Sequence, residues 1–351
     1  KSFNEVEKQI RETIDQFEKE GISDEAISRE KAKKEAQIVQ GLGSIAGKSA
    51  ILTSWELYYG KPINLTDEIE RYKKVTKEDI VRVYNKYLKG KHAAIVNVYP
   101  KDPMDEKTDS VKSVNPYANY KPAPDPQYNG LKYVKAVDNF DRAIRPTPGP
   151  AKITKVPTYY SSTLKNGLKI IGTETSEIPM VTIRIEIEGG NLILDKPEKA
   201  GLAELTASMM EEGTKNFTAE QFSAELDKLG SSITFNGSRQ GSYITVQTLT
   251  KNLDATLKLL EENLFSPRLS EENFYRVRKQ LSESIASQKT SSDALSSQAF
   301  DNLVYGNNIF GSYTSAKSVK KLSLDDVKSY YNKYYSPSVS NLTVVGDISE
   351  K

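Results

Sequence analysis

Residues 199–214, KAGLAELTASMMEEGT, carry polar side chains at a spacing that suits metal binding. A helix is predicted here by apolar positions that recur at three- and four-residue steps, namely Leu202, Leu205 and Met209. Glu204 and Ser208 stand four residues apart and therefore point from one face of that helix. Two ligands at this spacing can hold one ion, but neither residue is a histidine.

The scarcity of histidine and cysteine narrows the chemistry further. His92 is the only histidine of the chain, and cysteine is absent. Thiol nucleophiles, cysteine–zinc sites and disulfides are therefore excluded, and zinc hydrolases normally use two or three imidazoles. We interpret His92 as a surface residue at the start of a predicted strand, HAAIVNVYP (92–100). The chain cannot supply the usual histidines of a hydrolytic site.

Composition limits the classes of partner. A length of 351 residues predicts two or three domains. With 49 Lys and Arg against 47 Asp and Glu, the net charge of +2 gives no electrostatic footprint for nucleic acid. The longest uncharged stretches, such as 36–47, are too short for a membrane span of about 20 apolar residues.

A proline-rich segment over 101–158 predicts a connector between two lobes. Ten of the fifteen prolines fall between Pro100 and Pro157, and proline neither donates a main-chain hydrogen bond nor continues a helix. Four tyrosines offer anchors on a lobe surface: Tyr117, Tyr120, Tyr128 and Tyr133. A PxxP-type ligand is the alternative interpretation.

The rest of the chain predicts helices before the connector and mixed structure after it. Ser23 is a predicted N-cap, and a long helical stretch follows to about residue 59, weakened by glycines. After the connector, 164–171 and 231–249 predict hairpins, and 181–188 alternates as a half-buried strand. Helices are predicted from Thr218 and over 253–265, 271–288 and 293–304.

Two helices near the ends of the chain predict a duplicated αβ unit. LSLDDVKSYYNKYY (322–335) aligns with VTKEDIVRVYNKYL (75–88), including a capping box and the run Tyr-Asn-Lys-Tyr. LYYG (57–60) and LVYG (303–306) match upstream. Amphipathic periodicity alone does not explain four consecutive identities with matching flanks, so we favour a repeat.

The order of these elements resembles the pitrilysin/insulinase-type zinc metallopeptidases, the inverzincins whose active helix carries H-x-x-E-H. Such helices read AGLAHxxEHMxxxGT, and seven positions fit: Ala200, Gly201, Leu202, Ala203, Met209, Gly213 and Thr214. The resemblance covers 1–100 and 160–351. It implies an α+β fold of mixed, mostly antiparallel sheets covered by helices, in duplicated half-domains of the mitochondrial-processing-peptidase-like type.

The departures from this family fall on its chemical positions. The resemblance places the two histidines of the motif at Glu204 and Ser208, the general base at Ala207 and the distal metal ligand at Glu283. These residues are poor zinc donors, and Ala207 cannot deprotonate a bound water. We therefore expect no catalytic, cofactor-binding or metal-binding residue in this chain. Glu204 and Glu283 are interpreted as solvated or hydrogen-bonded remnants, with a weak hard-cation site as the alternative.

The resemblance also implies a domain plan and a function. Residues 1–100 are expected to be the C-terminal half of a first peptidase-like domain, 101–158 the linker, and 159–351 the N-terminal part of a second, non-catalytic domain. The implied function is a non-catalytic segment of a zinc metallopeptidase that helps enclose peptide substrates. Zinc is expected in an upstream catalytic domain of the same polypeptide or in a catalytic partner subunit. The alternative is a non-enzymatic assembly subunit, and the periplasm or cell envelope is favoured over the cytoplasm.

Overall fold

The computed structural model describes most of the chain outside the proline-rich connector. The described residues are 3–62, 64–98, 156–194, 197–306, 308 and 310–350, with positions 132, 141, 143–144, 147 and 149. The predicted anchors Tyr117, Tyr120, Tyr128 and Tyr133 lie outside them, and so does almost all of the predicted linker 101–158. Their role stays a prediction.

Among the described residues before the connector, the helices are α1 (Phe3–Glu20), α2 (Asp24–Gly41), α3 (Ile45–Tyr59), α4 (Leu65–Lys73) and α5 (Lys77–Tyr87). The predicted cap is confirmed, because the Ser23 side chain accepts a hydrogen bond from Ala26 N. The long helical stretch divides at the glycine-rich segment between α2 and α3, where the predicted weakness lies.

The strand predicted from His92 onward is wrong for the residues that the structure describes there. Residues 91–98 have no regular secondary structure, and Ile95, Val96 and Val98 are 55%, 81% and 78% exposed. A strand forms when a neighbouring strand satisfies its main-chain groups, and no pairing involves this segment among the described residues. Apolar composition alone therefore misled the prediction.

One six-stranded sheet organises the part after the connector. Its strands are β1 (Tyr160–Thr163), β2 (Lys169–Glu174), β3 (Met180–Glu188), β4 (Ser232–Gly237), β5 (Gly241–Leu249) and β6 (Ser340–Gly346). Their spatial order is β1-β2-β6-β3-β5-β4. Only the β2–β6 pair is parallel, so the predicted mixed, mostly antiparallel sheet is confirmed.

Helices cover one face of this sheet. The helices described after the connector are α6 (Leu202–Met210), α7 (Ala219–Leu229), α8 (Leu253–Phe265), α9 (Glu271–Ser287), α10 (Ser292–Tyr305), α11 (Ala316–Lys320) and α12 (Leu324–Tyr334). Of these, α6, α7 and α8 pack directly on β4 or β5. On β3, Val181, Ile183 and Ile187 are buried in the core, whereas Arg184 and Glu186 are exposed. The alternation in the sequence therefore predicted the covered face correctly. Within the described part of the chain, each helix is too short or too polar to cross a bilayer.

The chain divides into two compact units. The first comprises residues 1–14 and 90–156, and the second comprises 15–89 and 157–351. The second unit contains the whole sheet, and in it α2 packs against α7. The domain boundaries expected from the sequence, 1–100, 101–158 and 159–351, stay a prediction.

Candidate functional site

The predicted metal helix is present as α6, and burial holds it on nearly every side. Leu205, Met209 and Met210 are fully buried. The helix begins after Gly201, which has a φ of 102°. A Cβ at Gly201 would lie 2.7 Å from Thr314 Cγ2. Glycine therefore permits both the backbone turn and the close approach of the loop that carries Thr314.

Glu204, at the first motif position, is engaged by neutral hydrogen-bond donors. Asn191 Nδ2 donates to its two carboxylate oxygens at 2.8 and 3.0 Å, and Thr314 Oγ1 donates to Oε1 at 2.8 Å. Asn191 is 2% exposed, and its Oδ1 accepts from Ala203 N at 3.2 Å. We call Asn191, Glu204 and Thr314 the Glu204 network. It joins the turn after β3, helix α6 and the loop before α11.

Two glycines place Asn191 in this network. Gly189 and Gly190 follow β3 with φ values of 118° and 51°, a region that residues with a side chain rarely adopt. A Cβ on Gly190 would lie 2.4 Å from Ser238 O, so the turn lies directly against the β4–β5 hairpin. The sequence prediction missed Asn191 and Thr314. The Gly-Gly-Asn run at the end of β3 was the available signal for the first of them.

The remaining motif positions do not complete a metal site. Ala207 is 1% exposed and belongs to the sheet core, and Ser208 is half-buried. The Glu283 side chain is 67% exposed and lies 3.9 Å from Lys279 Nζ. Glu283 follows Phe274, which packs in the α6 core, by about two and a half helical turns and so faces the opposite side. The structure therefore does not bring Glu283 to Glu204.

These residues do not fit a zinc ion. The Glu204 oxygens already accept hydrogen bonds from the network, and no imidazole is present in α6. Among the described residues, no group of three His, Cys, Asp or Glu side chains is arranged to hold a metal. The hydrogen-bonded interpretation of Glu204 therefore describes its contacts better than the hard-cation alternative.

Tyr330 on α12 is a titratable group that packs in the core beside α6. Burial raises the pKa of its phenol, Ser242 lowers it by less, and the charge of Glu204 raises it again. Tyr330 is therefore protonated at neutral pH. It cannot replace the missing general base.

The outer strand β4 runs beside the same end of α6. A Cβ on Gly237 would lie 2.2 Å from Ala203 O, so strand and helix touch through their backbones. Phe235 N donates to the Glu211 carboxylate at 3.1 Å and therefore points away from β5. Since β4 ends the strand order, this main-chain group faces the outer edge of the sheet. The Glu211 side chain thus covers one donor of that edge.

Comparison with known proteins relates the chain to peptidases. Residues 169–312 match the family described as Insulinase (Peptidase family M16). The chain is 27% identical over 181 residues to the protein named Non-peptidase homolog YmxG of Helicobacter pylori. The aligned region covers 51% of this chain and 42% of that protein.

Two solved structures share the fold. The peptidase M16 inactive domain from Pseudomonas fluorescens gives a TM-score of 0.51 at 22% identity, over 55% of this chain and 47% of that one. The first half of the periplasmic protease PqqL from Escherichia coli gives a TM-score of 0.50 at 18% identity, over 56% of this chain and 45% of that one. The chain thus spans less than half the length of the proteins it matches here.

Proposed function

We propose that this chain, whose residues 169–312 belong to the insulinase family of peptidases (family M16), helps a zinc metallopeptidase to enclose and hold its peptide substrate. The chain is a non-catalytic segment of that family. The observation that carries the proposal is α6 itself. It keeps the position and burial of the metal helix, while its first motif residue, Glu204, is fixed by Asn191 and Thr314.

The zinc of such a peptidase is then held elsewhere. We place it in a catalytic domain of the same polypeptide, upstream of this segment, or in a partner subunit. Three observations support that division of roles. The Glu204 oxygens are hydrogen-bonded, Ala207 has no donor atom, and the carboxylate of Glu283 points to solvent.

Peptide contact is proposed at the outer edge of β4. An extended peptide can add a strand to an exposed sheet edge through main-chain hydrogen bonds. Phe235 N faces this edge, but Glu211 already accepts its hydrogen bond at 3.1 Å. An arriving peptide carbonyl would have to displace the Glu211 carboxylate. The carboxylate therefore weakens strand addition at this point.

The test measures peptide binding to the full chain. The probe is a fluorescein-labelled unstructured peptide with alternating apolar residues. Its binding to the chain is measured by fluorescence anisotropy. Glu211→Ala should raise its affinity about fivefold, since one competing hydrogen bond is worth about 1 kcal/mol. Glu261→Ala, an exposed carboxylate on α8, is the matched control and should change nothing. Equal affinity of the two variants would contradict peptide binding at β4.

The second candidate is a non-enzymatic structural or assembly subunit. The similarity to a protein named a non-peptidase homologue supports this alternative. Zinc analysis and peptidase assays of the whole protein distinguish the two candidates. Zinc together with peptide cleavage supports the peptidase, and the absence of both supports the assembly subunit.

A periplasmic or cell-envelope location is part of the proposal. Its support is the structural similarity to the first half of a periplasmic protease. Fractionation of the native cells, with detection of this segment by antibody, tests it. Recovery in the cytoplasmic fraction would contradict it.

A further inference from the structure

The contact between α2 and the sheet-bearing part of the second unit rests on few apolar groups. The buried residues of α2 are Ile27, Ala36 and Val39. Gly230 ends α7 with a φ of 59°, and a Cβ there would lie 2.6 Å from Ala32 O and 2.9 Å from Ala36 Cβ. The helices therefore meet through small residues at close range. We call this contact, between α2 and the α7–β5 side, the joint.

Ion pairs surround this small apolar centre. They are Glu25 with Lys228 (2.8 Å), Arg29 and Lys33 with Asp227 (3.9 and 3.6 Å) and Glu35 with Lys251 (2.8 Å). Glu35 also faces Lys73 of α4 at 3.7 Å, so one carboxylate links three elements. All of these groups retain some solvent exposure, which makes their attraction sensitive to salt.

The order of charges along α2 fixes its position. Each charged residue of α2 in this contact lies opposite a partner of the other sign; in chain order they are Glu25, Arg29, Lys33 and Glu35. A slide of about one turn in one direction would bring Arg29 opposite Lys228. A slide in the other direction would bring Glu25 opposite Asp227. Both shifts place like charges together, so the pattern disfavours the neighbouring registers.

We propose that the joint is a reversible contact, closed by its ion pairs and released by rising ionic strength while the sheet stays folded. A small apolar centre with a charged border is typical of transient interfaces and of contacts between domains that move. The charge order lets α2 return to the same register after opening. The joint would thus allow the helical residues 15–89 to move relative to the sheet.

The absence of cysteine makes the proposal straightforward to test in the full chain. Ser28 on α2 and Ser223 on α7 are both exposed, so Ser28→Cys and Ser223→Cys can carry a donor and an acceptor dye. Between 0.05 and 0.5 M salt, the open population should rise about tenfold, because salt screens the attraction of four partly exposed ion pairs. Far-ultraviolet circular dichroism should stay constant. Constant energy transfer, or its loss together with the sheet signal, would overturn the proposal.

A charge reversal tests the same contact at low salt. Asp227→Lys places three like charges together and should open the joint at 0.05 M salt, where the parent chain is closed. Adding Arg29→Glu and Lys33→Glu should close it again. Glu261→Lys applies the same charge change on the exposed side of α8 and should leave energy transfer unchanged. Failure of the compensating pair to restore energy transfer would overturn the proposal, since a merely misfolded Asp227→Lys chain gains nothing from it.

Discussion

Replacing Glu204 with alanine tests whether the Glu204 network stabilises the protein. Asn191 Nδ2 would lose both oxygens that it bonds at 2.8 and 3.0 Å, in a side chain that is 2% exposed. Asn191 Nδ2 would keep only a long contact of 3.4 Å with Thr314 Oγ1. A buried donor left without a good partner costs about 1–3 kcal/mol, and the lost hydrogen bond from Thr314 to Glu204 adds about 1 kcal/mol. Because Glu204 is only half-buried, little desolvation cost is recovered. We expect the free energy of unfolding to fall by about 2–4 kcal/mol.

Urea unfolding followed by circular dichroism measures this change through the midpoint and slope of the transition. Glu283→Ala is the matched control, because it removes the same side chain from another predicted ligand position that is 67% exposed. The control should cost less than about 0.5 kcal/mol. Equal small losses in the two variants would refute the reasoning, since the hydrogen-bonded carboxylate of Glu204 and the exposed one of Glu283 would then be equivalent.

Combining Glu204→Ala with Asn191→Ala extends the test to the pair. Each single variant leaves the other partner with an unsatisfied group, whereas the double variant removes both. The double loss should therefore be smaller than the sum of the single losses by about 1 kcal/mol or more. Additive losses would show that the two residues act independently.

Two further predictions concern zinc and pH. Restoring the motif with Glu204→His, Ala207→Glu and Ser208→His should give no tight zinc site, because the carboxylate of Glu283, the expected distal ligand, points to solvent. Stoichiometric zinc after dialysis would contradict this prediction. The second concerns the pKa of Asp326. Burial raises this pKa, but the hydrogen bonds from Lys199 and from the helix cap together lower it by more, so the net pKa of Asp326 lies below the usual value. Its stabilisation is therefore present above about pH 4 and lost as the pH falls through the lower folded pKa. Lys199→Met should reduce the loss of stability between about pH 5 and 2, measured by urea midpoints.

Local sequence rules predicted many of the helix starts and the exposed face of the sheet. The capping boxes at Thr76, Thr218 and Ser323 are all present, since each rule depends on residues three positions apart. The alternation over 181–188 also predicted which side of β3 is buried. Both features are local, so tertiary contacts did not have to be known.

The contacts that the sequence did not predict join distant segments. Asn191 and Thr314 meet Glu204 only because the chain turns after β3 and returns before α11. The packing of α2 on α7 joins residues separated by nearly two hundred positions, and the sequence analysis made no prediction of this contact. The exposure of Glu283 could not be predicted for another reason, because a helical period fixes relative faces but not which face meets α6.

The survival of α6 without metal ligands follows from where its stability originates. Leu205, Met209 and Met210 are fully buried, and Ala207 adds a fourth contact to the core. Burial of such side chains contributes about 1.5–3 kcal/mol for each large one, whichever residues occupy the polar face. On the polar face, Asn191 and Thr314 donate hydrogen bonds to Glu204 and so link α6 to the turn after β3 and to the loop before α11. The packing of α6 therefore does not depend on metal ligands at Glu204 and Ser208.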